Sequence, residues 1–435
     1  MSGIVITGLG LSTALGGTAR EAWLALAAGR SGIGAAMPFS PPAGREPAMA
    51  LAASADRAPE LRVGKLVKFA GRSVVCGLHA VQEAVGAARL AEAGVDPMRL
   101  AVHTASGQTG LDVEEFFPAL GVAWAGDPSL DVGSLGGRPS RLVDPYFSLR
   151  TLANGGLALV AAEIGAHGPS ANHVHADTAG ARALRAAYLD LSEGRADAAV
   201  VAAFDSLAHV SAWLAWDRRG LLSRLPAPRA VRPFDAGRDG LVLGEGAAAL
   251  VLERAETARA RGAPVLADLL GVGLAATAFD RNDPRCPDQL ARAWARAFGR
   301  WPGHDASPVA HRARPALVVA HGLATRESDA VEAALLSGVV PPGVPITAFK
   351  GATGYLGAAT ALVETGLLVL ALHAGSAPAI VGLDEPDPDC RLPFVQGHAR
   401  ALDAPAGGAA GAVCAWSWTG ECAVVAIRAA EDRNP

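Results

Sequence analysis

The chain is short of lysine, tyrosine and methionine, and short of charge altogether. Of its 435 residues only 18 % are charged, with three tyrosines and four methionines. Lysine stands only at 65, 68 and 350, so almost all positive charge is arginine, and the formal net charge is −4. That balance excludes a global basic field of the kind that draws a protein to nucleic acid. Cysteine is sparse too. The five, Cys76, Cys286, Cys390, Cys414 and Cys422, include no CxxC pair. Scattered thiols exclude a disulfide scaffold and argue for a reducing, cytoplasmic setting. No uncharged apolar run reaches the roughly 18 residues of a membrane-crossing helix; the best stretch, Ala361 to Ala374, carries Glu364. The start, Met1-Ser-Gly-Ile-Val-Ile-Thr-Gly, has no basic segment and is broken by glycines, so it reads as a buried strand and turn and not as a leader.

What is abundant is apolar residue, 51 % of the chain. Short apolar runs alternate with helical patterns. The strand candidates are Ile4–Gly8, Leu100–Thr104, Asn172–Ala176, Ala198–Phe204, Ala247–Leu252, Ala316–Ala320, Ala379–Leu383 and Cys422–Ile427. The helix candidates are Ala19–Leu26, Val67–Ala87, Thr151–Ile164, Thr178–Ser192, Gln289–Phe298, Ser328–Leu336 and Ala358–Leu372. Such alternation predicts an α/β fold with helices covering buried sheets. The pattern runs through twice and divides in the charged stretch Glu253–Ala263, predicting two halves, residues 1–255 and 256–435. Ala358–Leu372 is apolar nearly all round and reads as a core helix. Four stretches rich in Pro with Gly or charge, Pro38–Pro47, Ala125–Pro139, Pro302–Arg314 and Asp384–Pro393, read as loops of one compact body.

Five segments carry more specific information. The first is Val5-Ile-Thr-Gly-Leu-Gly-Leu, followed by Trp23 and Gly29-Arg-Ser-Gly-Ile33. Next come Gly168-Pro-Ser and the joint His173-Val-His-Ala-Asp177-Thr-Ala-Gly180. Arg232-Pro-Phe-Asp-Ala-Gly-Arg-Asp-Gly-Leu-Val-Leu-Gly-Glu-Gly-Ala247 follows. Then come Ala320-His-Gly-Leu-Ala-Thr325 with Asp329 and Glu332, and finally Lys350-Gly-Ala-Thr-Gly-Tyr355-Leu-Gly-Ala-Ala359. In this order and spacing the set resembles the β-ketoacyl synthase family. The resemblance implies a thiolase fold: two similar βαβαβαβ-type halves in a five-layer α-β-α-β-α sandwich, normally dimeric.

Working members of that family use a cysteine at a helix N-terminus, where the helix dipole lowers the thiol pKa, to take up an acyl chain. Two histidines stabilise the enolate formed on decarboxylation of the extender unit. By resemblance the cysteine position is Asp177, the first histidine is His321, the second is Tyr355, and Lys350 supports the histidines. The family's glycine-rich C-terminal loop stands here as Cys414-Ala-Trp416-Ser-Trp418-Thr419-Gly420-Glu-Cys422, so Trp416, Trp418, Thr419 and Gly420 are the expected substrate-binding positions. Three catalytic elements are altered together. An acyl-aspartate would be a mixed anhydride, far more hydrolysable than a thioester.

Each position also has a plain structural reading. Asp177 can be a helix N-cap, worth ~1 kcal/mol; its chemical alternative is a carboxylate polarised by His321. His173, His175 and Asp177 alternate on one strand and superficially resemble a metal-ligand string, but no second ligand motif accompanies them, and no metal is expected. His321 is either a retained catalytic group or a buried histidine kept for its hydrogen bonds. Tyr355 can donate a hydrogen bond but cannot shuttle a proton near neutral pH, and filling space is its simpler role.

The resemblance implies a chain-length-factor-like subunit, without cofactor of its own, paired with a cysteine-containing ketosynthase in polyketide, polyene or fatty-acid-type synthesis. Its substrate would hang from the phosphopantetheine arm of an acyl carrier protein. The alternative is an enzyme that uses Asp177 and His321 for acid–base chemistry on a carrier-bound substrate.

Overall fold

The computed structural model describes residues 3–41, 44–45, 47–62, 64–107, 113–124, 139–276, 286–299, 314–403, 408–417 and 420–430. Its strands are β1 (Ile4–Ser12), β2 (Leu100–Ser106), β3 (Ser170–Val174), β4 (Ala198–Ser206), β5 (Glu245–Arg254), β6 (Ala267–Ala276), β7 (Pro315–Val319), β8 (Ile346–Thr347), β9 (Ser376–Ala377), β10 (Arg400–Ala401), β11 (Ala410–Ser417) and β12 (Glu421–Ala429). The helices of eight or more residues among those described are α1 (Ala19–Ala27), α2 (Arg72–Ala87), α3 (Gly155–Ile164), α4 (Ala179–Ser192), α5 (Val210–Asp217), α6 (Cys286–Ala297), α7 (Arg326–Val339) and α8 (Thr360–His373).

Ten strands form one array in the order β3-β2-β4-β5-β1-β6-β12-β11-β7-β8. Its centre is the short antiparallel contact of Ile4–Ile6 with Ala267–Leu269. Outward from that contact the two sides repeat each other. On one side β1–β5 and β5–β4 are antiparallel while β4–β2 and β2–β3 are parallel. On the other, β6–β12 and β12–β11 are antiparallel while β11–β7 and β7–β8 are parallel. Each parallel step needs a crossover, and helices supply it on both faces.

Helices α4 and α8 pack on each other between the two strand sets, α4 against β2 and β4, α8 against β11 and β12. Outside them α2 covers β1, β5 and β4, and α6 covers β6 and β12. The result is the α-β-α-β-α sandwich of the thiolase fold. Close approach at the outer layers depends on glycine. A Cβ on Gly10 of β1 would lie 2.0 Å from Ala80 O of α2, and one on Gly273 of β6 would lie 1.8 Å from Ala293 O of α6. The central helix α8 is buried all round except for Leu370 and its C-terminal His373, as its uniform apolar pattern predicts.

Several local expectations need correction. Ala379–Leu383 is a turn region and not a strand: Pro378 removes a donor and Gly382 sits at φ +89°. Strands β6 and β11, rich in Ala and Gly, lack the β-branched pattern and escape a reading of sequence alone. The helix expected from Val67 begins at Arg72 behind a 3-10 turn, Gly64–Phe69, and the one expected from Thr151 begins at Gly155. The loops Ala125–Pro139 and Pro302–Arg314 lie almost wholly outside the described residues.

Candidate active site

Asp177 lies in the joint between β3 and α4, a strand end facing a helix N-terminus. It is not the helix cap. Thr178 occupies the N-cap position of α4, and no side chain caps the helix there. The carboxylate turns instead towards the other half of the molecule. Oδ2 accepts a hydrogen bond from the Tyr355 hydroxyl at 3.1 Å. Among the described residues Oδ1 has no hydrogen-bond partner, and it sits 3.6 Å from His321 Nε2. Asp177 and Tyr355 are 2 % exposed and His321 is 4 % exposed. The three positions expected from sequence are therefore together, and Tyr355 stands where a second donor is needed.

Each of these residues is fixed from behind. Tyr355 is pinned by its backbone: its N–H donates to Val242 O at 2.8 Å, and Gly244 N–H donates to its carbonyl at 2.9 Å. His321 follows β7, and the N–H groups of His321 and Gly322 donate to the two oxygens of Glu332 at 2.6 and 2.8 Å. One turn earlier on α7, Asp329 accepts from Ala324 N–H at 3.0 Å and Phe234 N–H at 2.8 Å. Ala324 and Phe234 have φ of +63° and +61°, left-handed conformations that cost a non-glycine residue about 1–2 kcal/mol each. Two carboxyls at i and i+3 on one helix thus hold two strained loops in place.

Lys350 connects this group to the core. Its Nζ donates to His321 O at 2.6 Å and Glu364 Oε1 at 2.8 Å, and lies 3.0 Å from His321 Nδ1. An ammonium group offers donors only. Nδ1 is therefore the acceptor, the imidazole proton is on Nε2, and that N–H faces the free oxygen of Asp177.

Burial dominates the electrostatics. It pushes Asp177 up to about 7, against the Lys350 charge and the Tyr355 hydrogen bond. Burial takes Glu332 to about 8, Glu364 to about 7 and Asp329 to about 6. Burial, with Lys350 beside it, keeps His321 well below its usual range, so the ring is neutral at pH 7. Burial and the Asp177 carboxylate hold the Tyr355 phenol well above its usual range. The arrangement combines a carboxyl able to gain or lose a proton near neutrality with two neutral donors. Among the described residues it includes no thiol: Cys76, Cys390, Cys414 and Cys422 are buried free cysteines packed in the outer clusters.

The C-terminal positions divide. Trp416 of β11 packs with Cys414 and Cys422 in the outer cluster, whereas its neighbours Val413 and Ala415 face the central one. Its ring is therefore turned away from the layer that holds Asp177, and among the described residues its indole N–H has no hydrogen-bond partner. Gly420 forms the turn into β12 at φ +84°, and its carbonyl accepts from Gln289 Nε2. Trp418 and Thr419 lie outside the described residues. A residue that sequence reading passed over comes closer: Glu421 accepts from Thr178 Oγ1 and from Arg182 at the start of α4, with His175 Nδ1 at 3.5 Å. A carboxylate from β12 thus supports the elbow helix of the other half.

The His-x-His-x-Asp string does not converge. His173 lies 3.5 Å from His103, which is bonded at 2.7 Å to Asp190 of α4, while His175 turns to Glu421. Among the described residues no group of three His, Cys, Asp or Glu side chains could hold a metal ion. None of the described helices is long and apolar enough to cross a membrane.

Residues 1–258 match the profile of the β-ketoacyl synthase N-terminal domain, and residues 313–384 that of the C-terminal domain. The chain is 30 % identical over 413 residues to the 3-oxoacyl-acyl-carrier-protein synthase 2 of Synechocystis sp., covering 92 % of each. Among solved structures, the ishigamide ketosynthase/chain length factor superposes with a TM-score of 0.80 at 26 % identity, over 98 % of this chain and 99 % of that one. A type II polyketide ketosynthase solved with its acyl-carrier protein and a bound hexaketide shares the fold, with a TM-score of 0.81 at 23 % identity over 98 % and 99 % of the two chains. With the strand order, the elbow and the His321–Lys350 pair in place, the chain belongs to the β-ketoacyl synthase family.

Proposed function

We propose that the chain is a non-condensing, chain-length-factor-like subunit that pairs with a cysteine-bearing ketosynthase in the cytoplasm. Together they would build a polyketide, polyene or fatty-acid-type chain carried on the phosphopantetheine arm of an acyl carrier protein. The observation that carries this reading is the state of position 177. The nucleophile's place is filled by a buried carboxyl tied to Tyr355 and facing His321. The described free cysteines, Cys76, Cys390, Cys414 and Cys422, belong to the outer packing clusters. The scaffold that positions the site is nonetheless kept, down to the Glu332 and Asp329 clamps. A retained scaffold without a nucleophile fits a subunit whose partner supplies the thiol. The likeness to a solved ketosynthase/chain length factor supports the same reading.

The test is co-expression with a cysteine-bearing ketosynthase encoded beside it. The expected result is a stable 1:1 complex that elongates carrier-bound chains, with neither chain elongating alone. A chain that elongates without a partner, or that never associates with one, contradicts the reading.

A further inference from the structure

The geometry points to an activity of the chain itself: the Asp177 site removes and returns a proton at the carbon between the two carbonyls of a 3-oxoacyl thioester. The inference takes its substrate class, an acyl chain on a carrier arm, from the reading above, and it does not require a partner subunit.

Three placements carry it. Asp177 is a carboxyl whose Oδ1 is buried and, among the described residues, without a hydrogen-bond partner, so one oxygen is free to receive a proton. On one side stands the Tyr355 hydroxyl, 3.1 Å from Oδ2, and on the other the His321 Nε2–H, 3.6 Å from Oδ1. The Lys350–Nδ1 contact holds that histidine in the donor tautomer, and the Glu332 clamp holds its backbone. The enolate of a 3-oxoacyl thioester spreads its charge over two oxygens. Both donors face the carboxylate at rest; once it takes the proton its charge is lost and they turn to the two enolate oxygens, where the charge has moved, whereas a simple acyl thioester would use only one of them.

The step balances without a co-reactant. The C–H bond at the carbon between the carbonyls breaks, and its proton passes to Asp177. The electron pair moves into the new C=C bond and onto the enolate oxygens, where Tyr355 and His321 donate. The reverse step returns a proton, and after solvent exchange the returned atom comes from water. A carboxyl that titrates near neutrality suits this doubly activated carbon and is too weak a base for an ordinary α-carbon. The pair is buried, and the half-buried Trp216 of α5 packs edge-on to Tyr355 at 5.0 Å. Exchange therefore also reports that substrate reaches the buried carboxyl.

The full-length chain alone is incubated with 3-oxobutanoyl-pantetheine in deuterium oxide, and the mass of the intact thioester is followed against a buffer blank. We expect deuterium uptake well above the blank, lowered about 100-fold or more by Asp177→Asn and about 10-fold by Tyr355→Phe. The rate should rise with pH through an apparent pKa near 7. Uptake equal to the blank, a flat pH profile, or full activity in Asp177→Asn overturns the inference, as does release of free pantetheine as the main product. Because no ketosynthase is present, failure here leaves the heterodimer test untouched, and failure of that test leaves this one standing.

Discussion

A carboxyl held between a phenol and a neutral imidazole, with a lysine behind the imidazole, is a different chemical object from a thiolate in the same place. The Tyr355 hydrogen bond lowers the Asp177 pKa, while burial raises it more strongly. Tyr355→Phe leaves Oδ2 buried without its donor. It should destabilise the fold by about 1–3 kcal/mol and move the Asp177 titration upward, both measurable by urea unfolding and by carboxyl titration followed with infrared spectroscopy. Lys350 is the more critical residue. Lys350→Met removes the one hydrogen-bond partner that Glu364 has among the described residues, where its Oε2 has none, and takes away the donor to His321 Nδ1. Breaking such a buried pair costs about 3–5 kcal/mol, so urea unfolding of this variant should begin at much lower denaturant.

At the scale of elements, two outer helices close on their strands through glycine, and the two halves brace one another through carboxylates. Gly273→Ala would place a methyl 1.8 Å from the backbone oxygen of Ala293. Helix α6 must shift, and overpacking of this kind costs about 1–3 kcal/mol or more, read as a lowered melting temperature. This scale also shows what the sequence could and could not disclose. The uniform apolarity of Ala358–Leu372 is enough to identify α8 as a core helix. The spaced motifs are enough to bring Asp177, His321, Lys350 and Tyr355 to one place. Their mutual geometry depends on which carboxyl reaches which backbone amide across the two halves, and no local pattern encodes that. Glu421 was invisible because its partners, Thr178 and Arg182, are more than two hundred residues away in sequence. The orientation of Trp416 depends on the alternation of β11, a strand that alanine and glycine conceal. Asp177 was readable as a cap from composition alone; the tertiary contact with Tyr355 draws it away from that role.

The whole molecule gathers its buried acids into one pH response. Asp177, Asp329, Glu332 and Glu364 have folded pKa values between about 6 and about 8, above their ordinary values. The folded state therefore binds more protons than the unfolded one across that window, and stability falls as pH rises through it. Four histidines act in the opposite sense: His103, His173, His175 and His321 are lowered by partial or full burial, so they favour the folded state increasingly as pH rises towards and past their ordinary value of 6.5. Well above that value they are neutral in both states, and the acids dominate. Unfolding free energy measured in urea should thus decline from pH 6.5 to pH 8.5, and Glu332→Gln should flatten the decline. A protein equally stable at both ends would contradict the assigned burial of these groups.

The most direct test of the central claim is the elongation rate of carrier-bound chains by a cysteine-bearing ketosynthase, measured alone, with this chain, and for this chain by itself. The account predicts elongation only in the mixture, at a 1:1 ratio, and unchanged dependence on this chain when the partner's thiol is left intact. Elongation by this chain alone, or by the ketosynthase at full rate without it, would contradict the account.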